Sequence, residues 1–151
     1  MKKTFSILSI FIFLIFSNLT INSCGSRDDT LSCFPLSPIN VTLNLNLPAY
    51  YPITNSGGWI YVNEQQSGTN GLIIVRIGDT FKVYDRNAPH LCPDTGTVLE
   101  VKDNISILCP KDNTKWILTN GQPLDGAKTS LPPKTYPYNY DPVSKTLNVY
   151  F

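Results

Sequence analysis

Val41-Thr42-Leu43-Asn44-Leu45-Asn46-Leu47 sets an apolar residue against a polar one at every step. In an extended chain successive side chains point to opposite faces, so a period of two gathers the leucines on one face and the asparagines on the other. A helix would scatter the same residues around its circumference, so this stretch reads as a half-buried strand. The same pattern continues outward along the chain. Trp59–Val62, Leu72–Ile77, Phe81–Tyr84, Val98–Val101, Ile105–Leu108, Trp116–Leu118 and Thr146–Phe151 are short runs rich in β-branched and aromatic residues. Turn formers separate them: Asn55-Ser56-Gly57-Gly58, Asn70-Gly71, Asp103-Asn104, Asn120-Gly121 and Asp125-Gly126. The chain carries 12 prolines and 9 glycines and shows no apolar stripe at helical spacing. Short strands punctuated by turns predict an all-β fold, a small antiparallel sandwich or barrel without internal repeat or second domain.

The N-terminus is organised differently. Lys2 and Lys3 precede an apolar run from Phe5 to Phe16, interrupted only by Ser6 and Ser9. Twelve residues are too few to span a bilayer as a helix and suit the core of a secretion signal. Ile21-Asn22-Ser23-Cys24 follows and resembles the bacterial lipobox, in which the cysteine is acylated and becomes the first mature residue. The reading is a signal peptide over 1–23, lipidation at Cys24, a tether over 24–38 and a β domain over 39–151. The alternatives are an ordinary cleaved signal and an uncleaved anchor helix. Arg27-Asp28-Asp29, just after the cysteine, resembles the export signals of Bacteroidota surface lipoproteins, and Asp29-Thr30-Leu31 the O-glycosylation pattern of that phylum. A solvated linker accounts for both and is the preferred reading. The implied location is the bacterial cell envelope, on the outer membrane, with the membrane engaged through the lipid and room for an envelope protein partner.

Charge excludes one class of partner. The whole chain has 12 basic and 11 acidic residues, and loss of Lys2 and Lys3 leaves 10 against 11, a net of −1. No basic stripe is present to attract nucleic acid. With Cys24 taken by lipid, Cys33, Cys92 and Cys109 remain in an oxidising compartment where a disulfide persists.

The stretch from Tyr84 to Tyr136 holds the chemistry. Ala88-Pro89-His90-Leu91-Cys92-Pro93 is followed by a short hairpin and then Cys109-Pro110-Lys111-Asp112-Asn113. Trp116, Asn120-Gly121, Gly126 and Pro132-Pro133-Lys134-Thr135-Tyr136 come after. Over about Gly78 to Phe151 this resembles a Rieske [2Fe–2S] domain, whose two cluster loops read Cys-x-His and Cys-Pro-x-His-Gly. The resemblance implies a Rieske-like β fold with a two-loop cluster-binding subdomain, and it places the family's ligands one by one. The first cysteine falls on Ala88, the first histidine on His90, the second cysteine on Cys109 and the second histidine on Asp112, while the following glycine becomes Asn113. His90 and Cys109 are retained; Ala88 has no donor atom. Each iron of such a cluster would therefore keep one protein ligand of two.

Rescue would need Asp112 to ligate through oxygen and Cys92 to replace the missing thiolate. The implied state is a degenerate family member without cofactor, a binding or structural component rather than an enzyme, with no catalytic residue assigned. The alternative is an electron carrier holding a [2Fe–2S] cluster on non-standard ligands, with His90 and Cys109 among them. Some Rieske proteins tie their loops with a disulfide, which implies Cys92–Cys109 here, worth about 3 kcal/mol by chain entropy; Cys33–Cys92, Cys33–Cys109 and no bridge are the rivals. His90, the single histidine, has no zinc-finger spacing to any cysteine. A dyad of His90 with Cys109 or Cys33 would require a free thiolate and an orienting partner.

Overall fold

The computed structural model describes residues 31–151. The signal segment, Cys24 and the tether up to Thr30 lie outside the described residues. The strands are β1 (Asn40–Asn44), β2 (Trp59–Val62), β3 (Leu72–Ile77), β4 (Thr80–Asp85), β5 (Glu100–Lys102), β6 (Ser106–Leu108), β7 (Lys115–Ile117), β8 (Tyr138–Asp141) and β9 (Thr146–Tyr150). They form three antiparallel sheets of three strands, in the orders β1-β9-β8, β2-β3-β4 and β5-β6-β7. The all-β antiparallel reading holds.

The first strand shows how the pattern is used. Val41 and Leu43 are buried and Asn40, Thr42 and Asn44 exposed. β1 stops sooner than the alternation does, because the Asn44 side-chain oxygen accepts from the Asn46 N–H at 3.0 Å and turns the chain. Leu45 is still buried, but Leu47 is half exposed and precedes the 3₁₀ turn Pro48–Thr54, so the leucines do not all share one face. β8 escaped the sequence reading: Tyr138-Asn139-Tyr140-Asp141 is polar at every second place and flanked by Pro137 and Pro142.

The middle sheet is buried on both faces. Leu72 and Ile74 of β3 join Val41, Leu43, Ile60, Phe81, Leu147 and Val149 in one core, between the β1-β9-β8 and β2-β3-β4 sheets. Ile73 and Val75, on the opposite face, join Leu99, Ile107, Cys109, Trp116 and Leu118 in a second core beneath the β5-β6-β7 sheet. This is why Leu72–Val75 is an unbroken apolar run while its neighbours alternate. The small third sheet carries the loop between β6 and β7, and the loop from β4 to β5 enters it from the middle sheet.

Residues 31–38 do not hang free. Leu31 N–H donates to the Pro89 carbonyl at 3.1 Å, Phe34 is buried, and Cys33 is bonded to Cys92. The part of the tether within the described residues is thus stapled to the first loop.

Candidate functional site

The first loop leaves β4 at Asp85 and is shaped by a buried polar knot. The Asp85 carboxylate accepts from the Asn87 N–H (2.6 Å), the Asn87 side-chain amide (2.7 Å) and the Tyr136 hydroxyl (2.7 Å). Burial pushes the Asp85 carboxyl up, against the hydrogen bonds from Tyr136 and Asn87. Asn87 is further held by Thr69 and Asn70. Sequence reasoning missed this knot; the visible signal was an Asp at a strand end with Asn two residues on, an Asx turn. The chain then continues through buried Ala88, whose N–H donates to the Thr97 carbonyl at 3.1 Å, to His90.

The second loop leaves β6 at Cys109 and closes on itself. Asn113 N–H donates to the Cys109 carbonyl and Cys109 N–H to the Thr114 carbonyl, both at 2.9 Å. Asn113 adopts φ +60°. Asparagine is among the few non-glycine residues that enter this left-handed region readily, so it suits this turn. The loops are joined by a Lys111 N–H to Gly96 carbonyl bond at 2.9 Å. A Lys111–Asp94 ion pair at 2.6 Å adds little, since both side chains are about half exposed.

His90, Cys109 and Asp112 converge, each with a donor atom within 4.8 Å of the other two. The His90 Nε2 lies 2.7 Å from Asp112 Oδ2, and the two side chains are 9% and 21% exposed. A carboxylate only accepts, so Nε2 carries the proton; Nδ1 is buried with no partner. The imidazole packs edge-on against Trp116 at 5.6 Å between ring centres. Asp112 also accepts from the Thr114 N–H (3.0 Å), the Thr114 hydroxyl (2.7 Å) and the Cys109 thiol. Burial opposes its ionisation, but the bonds from His90, Thr114 and Cys109 outweigh that and hold its carboxyl below the usual range. Cys109 is fully buried, and burial first, with Asp112 second, pushes its thiol up.

The disulfide is Cys33–Cys92, with Cα atoms 5.5 Å apart, and Cys109 is free. The Cys92–Cys109 pairing is corrected by this geometry. Cys109 points inward among the core residues beneath the hairpin, whereas Cys92 sits on the exposed outer side of its loop, where the incoming N-terminal segment meets it. A hairpin brings two loops together without aiming both side chains into the gap.

The first loop offers no thiolate for a [2Fe–2S] cluster: Ala88 has no donor atom and Cys92 is consumed by the bridge to Cys33. For a thiol-based catalytic dyad, Cys33 is oxidised, and burial together with the Asp112 carboxylate pushes the Cys109 thiol up, opposite to the lowered range of a nucleophilic thiolate.

No protein-family model matches the sequence, and no curated protein does. Solved structures similar to this chain include two that it matches over nearly their whole length. One is the ferredoxin of carbazole 1,9a-dioxygenase from Nocardioides aromaticivorans IC177, at 19% identity and TM-score 0.40 over 75% of this chain and 96% of that one. The other is described as the small subunit of an NADH-dependent nitrite reductase from Mycobacterium tuberculosis, at 17% identity and TM-score 0.42 over 76% and 96%.

Proposed function

We propose that this chain is a lipid-anchored protein of the bacterial cell envelope whose Rieske-like domain has lost its iron–sulfur cluster and works as a binding or structural component. The observation that carries the reading is at the first loop: alanine occupies the first cysteine position, and the nearby Cys92 is bonded to Cys33. Two further features support it. Asp112 satisfies its oxygens on His90, Thr114 and Cys109, leaving loop ends closed on one another. The Cys33–Cys92 staple ties the N-terminal segment to the first loop and so fixes that loop covalently.

The full-length protein, purified anaerobically, should be colourless and contain no acid-labile sulfide. Charge-transfer bands with two irons and two sulfides per chain would overturn the reading in favour of an electron carrier with non-standard ligands. The anchor is tested separately. Cys24→Ser should leave the precursor unprocessed or release the protein from the membrane fraction, since the buried acyl chains contribute about 0.8 kcal/mol per CH₂. A processed Cys24→Ser protein that still sediments with membranes would refute lipidation at this residue.

A further inference from the structure

We infer that the remnant of the ligand set binds a single divalent transition-metal ion, of the Zn²⁺ type, through His90, Cys109 and Asp112. The inference deepens the proposed function and rests on the cluster being absent. One donor atom from each of the three residues lies within 4.8 Å of the other two. Ligands at about 2.0–2.3 Å around a tetrahedral ion sit roughly 3.3–3.8 Å apart. The donors therefore have to close by up to about 1.0–1.5 Å, and the ring and the carboxylate have to turn, opening the His90–Asp112 hydrogen bond, so that Nδ1 and an Asp112 oxygen both face the ion.

The donor set is chemically matched to such an ion. Thiolate and imidazole favour Zn²⁺ over Mg²⁺ or Ca²⁺, and a carboxylate oxygen is accepted beside them. The charges cancel, with one thiolate and one carboxylate against a divalent cation, so the occupied site would be neutral where it is most buried. Binding forms one metal–nitrogen, one metal–sulfur and one metal–oxygen bond. The Cys109 thiol proton leaves to solvent, the His90 ring keeps its proton on Nε2 and gives the ion the Nδ1 lone pair, and the ion is neither oxidised nor reduced. A fourth position stays open on the side of Asp112, the more exposed of the pair with His90.

A second observation points the same way. The His90 Nδ1 is buried and has no hydrogen-bond partner. A buried imidazole nitrogen left unpaired is a cost that protein interiors rarely carry without a ligand. It also means the ring loses nothing on that side when it turns toward an ion. Trp116, packed edge-on, and the loop bonds of Asn113 and Thr114 keep the donors in place.

Co²⁺ titration of the purified full-length protein tests this directly. Cys109 is the free thiol among the described residues, so a thiolate-to-cobalt charge-transfer band saturating at one equivalent reports its ligation. Zn²⁺ should then displace the cobalt stoichiometrically. Cys109→Ser should abolish the band. His90→Gln and Asp112→Asn should each weaken binding at least 10-fold and on the order of 100-fold, since even the supporting partners of metal ligands are worth 10–100-fold. Far-ultraviolet circular dichroism of the metal-free variants separates loss of ligand from loss of fold. The inference falls if folded wild-type protein gives no thiolate band, if the band survives Cys109→Ser, or if folded His90→Gln binds as tightly as wild type. Sulfide analysis distinguishes the failures: two irons with sulfide removes the proposed function itself, whereas sulfide-free protein that ignores Co²⁺ removes only this inference.

Discussion

Trp116→Ala is expected to destabilise the domain by about 3–5 kcal/mol, the usual cost of emptying a large aromatic site in a core. Trp116 is fully buried in the second core, beside Ile73, Val75, Leu99, Ile107 and Leu118. Its indole N–H donates to the Leu131 carbonyl at 2.9 Å, tying the segment after β7 back onto the strand. Its ring also supports His90. Since a domain of this size is stable by only about 5–15 kcal/mol, the loss would be a large part of the total. Urea denaturation should show a lower midpoint with an unchanged slope. Trp116→Phe keeps most of the apolar surface and gives up the hydrogen bond and a small part of the packed volume. Its cost should be about 1–2 kcal/mol, because the cavity is small, Leu131 is partly exposed and water replaces the lost donor. Equal losses for the two variants would contradict this division between packing and hydrogen bonding.

Removing the disulfide should be nearly as severe. Cys33 and Cys92 are 59 residues apart, and closing a loop of that length restricts the unfolded chain by about 4 kcal/mol in the entropy model. Both residues are exposed, so Cys33→Ser with Cys92→Ser removes little packing and the loss comes mainly from the unfolded chain. The variant should denature at markedly lower urea, and proteolysis should reach the segment around Phe34 first, since its hold on the first loop is then one hydrogen bond and one buried ring. Non-reducing peptide mapping of the wild type should recover Cys33 linked to Cys92, with Cys109 alkylated only after unfolding. A Cys92–Cys109 peptide, or a double variant as stable as wild type, would show that the staple lies elsewhere.

These two expectations depend on different levels of information. The period of two at Val41–Leu45, the turn pairs and the absence of helical stripes were sufficient for an all-β chain, because side-chain alternation is a property of the extended backbone itself. The loop residues were equally legible: Ala88, His90, Cys109 and Asp112 stand at motif positions that can be counted along the chain, and three of them do converge. β8 was hidden by its exposed face and flanking prolines, and Leu47 was misplaced because the Asx turn at Asn44 ends the strand before the alternation runs out.

What only the tertiary structure decided is direction. Sequence shows that Cys33, Cys92 and Cys109 exist, but pairing depends on where each Cβ points, and Cys109 points into the core while Cys92 faces the returning N-terminal segment. Spacing within its own loop likewise gives His90 no partner, because the side chains that meet it come from the next loop, 19 and 22 residues on. The Asp85–Asn87–Tyr136 knot was unreadable for the same reason, since its members are joined across 51 residues of chain. Local pattern determines which face of a strand is buried; only the packing of strands and loops determines which side chains meet there.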